Sequence, residues 1–302
     1  MQHAGRDLGR EAEGSGGSTP PVQPTARAGD DGTEAAPEAR EPGPLRWLTG
    51  ELRGSWMETR SAKTLLFSVP DWDGHDPGQH VDLKLTSADG YSAQRSYSLA
   101  SASSPGWVEL TVQTVQNGEV SPYLVETMQT GDELQLRGPI GGWFRWHADL
   151  SGPVLLIGGG SGIVPLMAML RRRVESGVTT PFHLVYVTRT PDHVIYSNEL
   201  ATMAQLHPGI VIDRLYTRAG LVDDVRAPGR LTLADLPGSV DASDAVDAVA
   251  GTGSNGTHPG ASRTRVYVCG PTGFVENAAQ LLQERGHAPE MIRTERFGPT
   301  GA

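Results

Sequence analysis

A chain of 302 residues is long enough for two domains with cores of their own. Its 35 acidic against 25 basic residues, a formal net charge of -10, argue against a nucleic-acid partner or an anionic membrane surface. One cysteine, Cys269, excludes both a disulfide framework and an iron–sulfur cluster held by thiolates of this sequence, and the absence of a long apolar run or signal-peptide centre leads us to expect a soluble, cytoplasmic protein with no membrane partner.

Residues 1–44 are Gly, Pro, Ala and charge with almost nothing apolar, and such a segment cannot bury enough surface to offset its ordering entropy. A disordered tail is expected there. From 45 to 148 come short β-rich runs, KTLLFSVP, HVDLKLT, RSYSLAS, WVELTVQTV and DELQLRGP, separated by turn signals such as Asp89-Gly90 and Pro105-Gly106. That spacing predicts a small antiparallel barrel or sandwich.

Within RSYS, strand alternation puts Arg95 and Tyr97 on one face and Ser96 and Ser98 on the other. A cation, a stackable ring and a hydroxyl suit a ligand carrying a diphosphate and a flat heterocycle. Downstream, NGEVSPYLVETM reads as a helix start, with Gly118 and Ser121 offering N–H and hydroxyl donors to phosphate; an ordinary helix N-cap at Ser121 is the alternative.

From 149 to 302 the apolar strands PVLLIGGG, HLVYVTR, IVIDRLYTR and RVYVCG alternate with helical patterns, which predicts a parallel α/β sheet. VLLIGGGSGIVPLMAMLRRRV is a buried strand, a glycine cluster and an amphipathic helix with Ile163, Leu166, Met167, Leu170 and Val174 on one stripe. Glycines at such a turn let a phosphate approach the exposed N–H groups of the helix start, although the spacing departs from G-x-G-x-x-G and a turn made only for packing stays open. Arg189 and Arg218 close two of the strands and Arg230 follows, so two of the three should project into the crevice beyond the strand ends. Their fork suits a 2′-phosphate and favours NADP over NAD, with ordinary surface cations as the alternative. The low-complexity stretch 239–264 reads as a loop insertion. The 9 histidines show no metal spacing, and no metal site is expected.

Together, RSYSLAS, GEVSPYL, GDELQLRGPIGGWF, LLIGGGSGIVPLMAML, VYVCGPTGFVENA and TERFGPTG resemble, in order, the ferredoxin-NADP reductase family of FAD-dependent oxidoreductases, here without an iron–sulfur domain. The resemblance implies a six-stranded antiparallel flavin-binding barrel over 45–148 and a NAD(P)-binding α/β domain over 149–302. It places Arg95 on the flavin phosphates, Tyr97 against the isoalloxazine, Ser98 near flavin N5, and Gly118, Val120 and Ser121 on the pyrophosphate. Gly138 and Pro139 fall on the turn leaving the barrel. Gly158, Gly159, Gly160, Ser161 and Gly162 match the turn that holds the NAD(P) pyrophosphate, and Thr217 with Arg218, supported by Arg189 and Arg230, matches the grip on a 2′-phosphate. Cys269, Gly270 and Pro271 match the turn beside the nicotinamide; Glu295 and Phe297 match the closing acid and aromatic, although here GPTGA follows the aromatic.

Ser98, Cys269 and Glu295 are thereby the candidate catalytic residues. The implied activity is hydride transfer from NAD(P)H, with NADPH favoured, to FAD and onward to a separate acceptor such as ferredoxin or a small molecule. A nucleotide-binding subunit without catalysis of its own is the alternative. Trp143 and Trp146 are read as packing between the domains or shielding for the flavin edge.

Overall fold

The computed structural model describes residues 45–87, 89–222, 224, 226–238 and 264–298, all within a unit running from Glu41 to Ala302. The tail 1–44 and all but the last residue of the insertion 239–264 lie outside the described residues. Six strands form the first sheet: β1 (Leu48–Thr59), β2 (Ala62–Ser68), β3 (His80–Thr86), β4 (Ser92–Ser98), β5 (Trp107–Gln113) and β6 (Glu133–Ile140). Their order is β4-β3-β6-β1-β2-β5 and every pairing is antiparallel. The outer strands β4 and β5 meet at an antiparallel bridge between Leu99 and Leu110, just beyond the end of β4, so the sheet curls into a barrel. Alternation fills it: Leu65 and Phe67 of β2, Val81 and Leu83 of β3, and Val108 and Leu110 of β5 are fully buried in one core, each worth about 1.5–3 kcal/mol of transfer free energy.

Gly138 and Pro139 lie inside β6 rather than on a turn leaving the barrel, which corrects the expectation. The pairing explains it: His80 lies opposite Ile140 but Asp82 opposite Arg137, so β6 carries one extra residue, a bulge that re-aims the strand end. A Cβ on Gly138 would stand 2.8 Å from Val81 Cγ1, which leaves room for glycine alone. Beyond β5, the expected helix start is a single turn, α1 (Val120–Pro122), continued by a π turn over Tyr123–Thr127. Val120, Leu124 and Val125 plug the end of the barrel.

The second sheet holds β7 (Val154–Gly159), β8 (Phe182–Thr188), β9 (Ile210–Tyr216), β10 (Arg265–Pro271) and β11 (Ile292–Phe297), in the order β11-β10-β7-β8-β9 and all parallel. Helices α2 (Ile163–Glu175), α3 (Ser197–Leu206) and α4 (Thr272–Glu284) connect them. Chain order reverses between β7 and β10, which makes their carboxyl ends the switch point where a doubly wound sheet opens a crevice. Instead of a single apolar stripe, α2 buries every residue from Ile163 to Leu170. It is wedged in a core that also takes in Trp146 and the barrel-side Ala62 and Ala100, so its outward face is covered too. No described helix is long and apolar enough to cross a membrane.

Candidate functional site

Two strand ends converge on the seam between barrel and α/β sheet. On the barrel side, β4 ends in Arg95, Tyr97 and Ser98, and the pairing of β3 with β4 sets His80 directly opposite Ser98. Tyr97 packs on the barrel core, where burial pushes its hydroxyl up to about 12. Arg95 is exposed and lightly held: its guanidinium donates to the Gln94 carbonyl and lies 3.8 Å from the Glu119 carboxylate. Gly118 and Ser121 sit where β5 hands over to α1. The Ser121 hydroxyl accepts the Val115 N–H at 3.0 Å rather than capping α1, and its own proton remains to be donated. Val120 is buried in the barrel core beside them.

On the α/β side, β7 runs into Gly158 and Gly159 and a 3₁₀ turn, Gly160–Gly162, that leads into α2. Three of these glycines are explained by packing. A Cβ on Gly158 would press on Leu166 at 3.2 Å, one on Gly159 would meet the Phe274 ring at 2.7 Å, and one on Gly162 would fall 2.1 Å from the Cys269 carbonyl. Gly160 differs: its φ of +56° is left-handed, and its nearest foreign atom, Gln113 Oε1 of the barrel, would be 3.8 Å from a Cβ. Glycine there leaves an open backbone approach beside Ser161, as a phosphate cradle requires.

Cys269 and Gly270 end β10 at the same place, with Pro271 exposed behind them. The parallel register pairs Cys269 with Gly158 on one side and Glu295 on the other, and Pro271 with Phe297. Cys269 is fully buried, and burial pushes its thiol well above the ordinary range, so it is a neutral packing group. Glu295 keeps Oε2 sealed from solvent with no hydrogen-bond partner among the described residues, while Oε1 lies 3.6 Å from His80 Nδ1. Burial pushes this carboxyl up to about 7 and the His80 imidazole down, against the charge of Asp82. Ser98, His80, Glu295 and Cys269 thus form one continuous cluster across the seam, and Phe297 (37% exposed) stands at its rim.

Thr217, Arg189, Arg218 and Arg230 lie at the carboxyl ends of β8 and β9. The Thr217 and Arg218 N–H groups donate to the Thr188 and Arg189 carbonyls at 2.9 Å each, which ties the two arginine segments together. All three guanidinium groups are exposed and have no partner among the described residues, unlike Arg171, Arg173, Arg214 and Arg226 of the same domain, which are hydrogen-bonded.

His80, Gln113 and Phe274 escape sequence reasoning. Each matters through what it faces: His80 faces Glu295, Gln113 faces Gly160, and the Phe274 ring lies against Gly159 and Gly270. Only the strand register, hidden in HVDLKLT, would have set His80 opposite Ser98. The tryptophans part company: Trp146 is fully buried edge-on against Phe182, and Trp143 is 62% exposed under the Arg293 guanidinium.

Residues 56–145 match an oxidoreductase FAD-binding domain and residues 156–280 an oxidoreductase NAD-binding domain. The chain is 31% identical over 228 residues to the reductase component of propane 2-monooxygenase from Rhodococcus jostii, covering 73% of this chain but only 55% of that protein. It is 26% identical to a ferredoxin–NAD(P)(+) reductase component of the naphthalene 1,2-dioxygenase/salicylate 5-hydroxylase systems of a Ralstonia species, covering 100% and 84% of the two chains. Among solved structures, a ferredoxin NADP+ reductase from Neisseria gonorrhoeae with bound FAD and NADP superposes with a TM-score of 0.64 at 21% identity, over 83% of this chain and 98% of that one.

Proposed function

This chain belongs to the ferredoxin-NADP reductase-like family, which joins an FAD-binding barrel to a NAD-binding α/β domain, and we propose that it takes a hydride from NADPH or NADH and passes the electrons to a separate redox partner. The observation that carries this reading is the seam cluster: Ser98, His80, Glu295 and Cys269 lie where the switch point of a dinucleotide sheet meets the open edge of the barrel. The residues present fit both cofactors. Gly160 offers an open backbone, Arg95 and the Ser121 hydroxyl are available to a diphosphate, and Arg189, Arg218 and Arg230 are exposed beyond the strand ends with no partner among the described residues.

Bound FAD and nicotinamide would supply the hydride and electron chemistry; the chain supplies position, dryness and charge. Arg95 and the turn at Gly118–Ser121 hold the flavin phosphates, Tyr97 holds its ring, and Ser98 presents a hydroxyl at its reactive edge. Gly160 and Ser161 take the nicotinamide dinucleotide's diphosphate, and Cys269–Gly270 backs the nicotinamide, with Pro271 behind. Phe297, at the rim, would cover the flavin where the nicotinamide would enter. Thr217 and Arg218, with Arg189 and Arg230, bind the 2′-phosphate and make NADPH the preferred donor. The partner, by likeness to the reductase components, is a ferredoxin or an oxygenase component, met in the cytoplasm.

An anaerobic absorbance spectrum before and after stoichiometric NADPH, then NADH, tests the reading: a flavin band that bleaches with either donor supports it, and a protein colourless after incubation with FAD overturns it. Arg218→Ala is expected to lower kcat/KM for NADPH by about tenfold to a hundredfold, the worth of one charge-assisted contact, and to leave NADH nearly unchanged. Equal losses on both donors would end the argument for NADPH.

A further inference from the structure

Glu119 sits among the residues assigned to the flavin phosphates, and it is itself an anion. Its carboxylate lies 3.8 Å from the Arg95 guanidinium, an ion-pair distance too long for a hydrogen bond. Both of its oxygens also accept the Tyr91 hydroxyl, at 3.2 and 3.3 Å. None of this serves the local backbone: as the residue before α1, Glu119 makes no side-chain cap. Glu119, Arg95 and Tyr91 are all more than half exposed, so the arrangement is light enough to open for a ligand. Ala93 shares the β4 face of Arg95 and Tyr97, and Tyr91 comes just before the strand. Along that face Arg95 and Ala93 stand about 7 and 13 Å from Tyr97. Beyond Arg95 opens a cavity of about 670 Å³, walled by Ala93, Tyr91, Glu119, Tyr123, Lys84 and Glu133, a size that suits a small molecule.

We infer that Glu119 selects the flavin: it holds Arg95 in the flavin-free chain, and it favours FAD over FMN when a flavin binds. The inference rests on the oxidoreductase reading above. With the flavin ring at Tyr97 and a phosphate at Arg95, a dinucleotide laid along β4 reaches the cavity with its adenosine half, whereas a mononucleotide stops at the arginine. The two ligands therefore meet the carboxylate differently. FMN ends in a phosphate monoester of about -1.5 to -2 charge at pH 7, set beside a carboxylate that has just lost its cation to it. Nothing in FMN compensates that repulsion. FAD spreads its charge over two esterified phosphates, and its adenosine brings ribose hydroxyls that can donate to the freed carboxylate, as they do to the acid of a dinucleotide fold. Among the charged residues that line the cavity, Lys84 stands against Glu119 and Glu133, and the Lys84 ammonium is drawn over the Trp47 ring at 4.7 Å. The cavity is thus slightly anionic, which suits a neutral nucleoside and not a further phosphate. Tyr91 adds an exposed ring for the base.

Flavin-fluorescence titrations of the full flavin-free chain, with FAD and then with FMN, test this without turnover. The wild type is expected to bind FAD the more tightly. Glu119→Gln keeps the size of the side chain and removes its charge, so FMN affinity is expected to rise about twofold to fivefold, the worth of one exposed charge pair. FAD gives up a charge-assisted acceptor in the same variant and does not gain in step, so the ratio of FAD to FMN affinity is expected to fall about fivefold or more. In about 1 M salt, which screens exposed charges, the gain for FMN should shrink. A ratio that does not move, equal gains for both flavins, or a wild type that prefers FMN would overturn the inference. A wild type that binds neither flavin would defeat the oxidoreductase reading and this inference with it, whereas one that binds FAD while the ratio stays fixed in Glu119→Gln defeats the inference alone.

Discussion

The seam between the barrel and the α/β sheet holds two carboxylates of opposite fate. Glu109 on β5 is 3% exposed, and its partner Arg171 on α2 is surrounded in turn: the guanidinium also donates to both oxygens of Glu199 and to the Ala100 carbonyl, and it lies 5.1 Å from the centre of the Tyr196 ring. Tyr196 donates its hydroxyl to Thr111 and its N–H to Glu58, and Thr64 closes the circuit to both Thr111 and Glu58. Glu295, on the same interface, has no partner among the described residues for its buried Oε2, and Oε1 has one imidazole at ion-pair distance. A satisfied buried network rigidifies, whereas a buried acid left short of partners is displaced toward neutrality and becomes able to trade a proton. One seam is therefore a joint at one place and a reaction site at the other.

The sharpest way to break this comparison is to remove the cation from the satisfied side. Arg171→Met leaves the Glu109 carboxylate buried without its partner, and a loss of about 3–5 kcal/mol is expected, or roughly 10 °C in thermal midpoint for a chain of this size. Arg171→Met with Glu109→Leu should recover most of that loss, because two apolar groups replace two charges. If the single variant costs no more than a surface ion pair, about 0–1 kcal/mol, the network is not a joint.

The unsatisfied side should answer to pH instead. Glu295 titrates at about 7 in the folded chain against 4.5 for an ordinary glutamate. Below the unfolded value the carboxyl is protonated in both states and costs nothing. As pH rises through 4.5 toward 7 the unfolded chain ionises first, so stability falls and the full penalty stands above the folded value. By the size of the shift the penalty is about 3 kcal/mol at most. Glu295→Gln should remove it, leaving the variant more stable than wild type at pH 8.5 and close to it at pH 4.5 in urea unfolding. A difference of the same size at both pH values would show that the carboxyl pays no such penalty.

What the sequence reveals of this seam follows from what each residue needs. The β-rich runs and the glycine cluster announce the two sheets because alternation and strand-to-helix glycines are local properties. Two strands escape a reading of apolar runs. In β1, LTGELRGSWMET, Gly50, Glu51, Arg53 and Gly54 interrupt the pattern, and in β11, IRTERF, only the ends are apolar. Cys269, Glu295 and Ser98 are visible as motif residues, yet their neighbourhood depends on the parallel register of β10 with β11 and the antiparallel register of β3 with β4. Register is a nonlocal quantity set by partners far along the chain, so His80, which completes the cluster, reads as one more residue of a strand. The same holds for Arg171: within RRRV it looks like a surface cation at the end of a helix, and only the packing of α2 against β5 and α3 turns it into the centre of a buried network.

The smallest perturbation asks how far that network extends. Tyr196 adopts a left-handed backbone, φ +60°, at the head of α3, a conformation costly for a non-glycine residue that persists only where the surroundings hold it. Tyr196→Phe keeps the ring under Arg171 and the N–H bond to Glu58, and removes only the hydroxyl donated to Thr111. Thr111 retains its bond to Thr64 at 2.8 Å, so no buried group is left wholly unpaired and a loss of about 1 kcal/mol is expected. Thr111→Val should cost more, about 1–3 kcal/mol, because it strands the Tyr196 hydroxyl in a dry seam. In the double variant the two effects should fall short of their sum, since either change alone removes the same bond. Strict additivity in thermal unfolding would mean that the hydroxyl and Thr111 act independently and that the joint ends at Arg171.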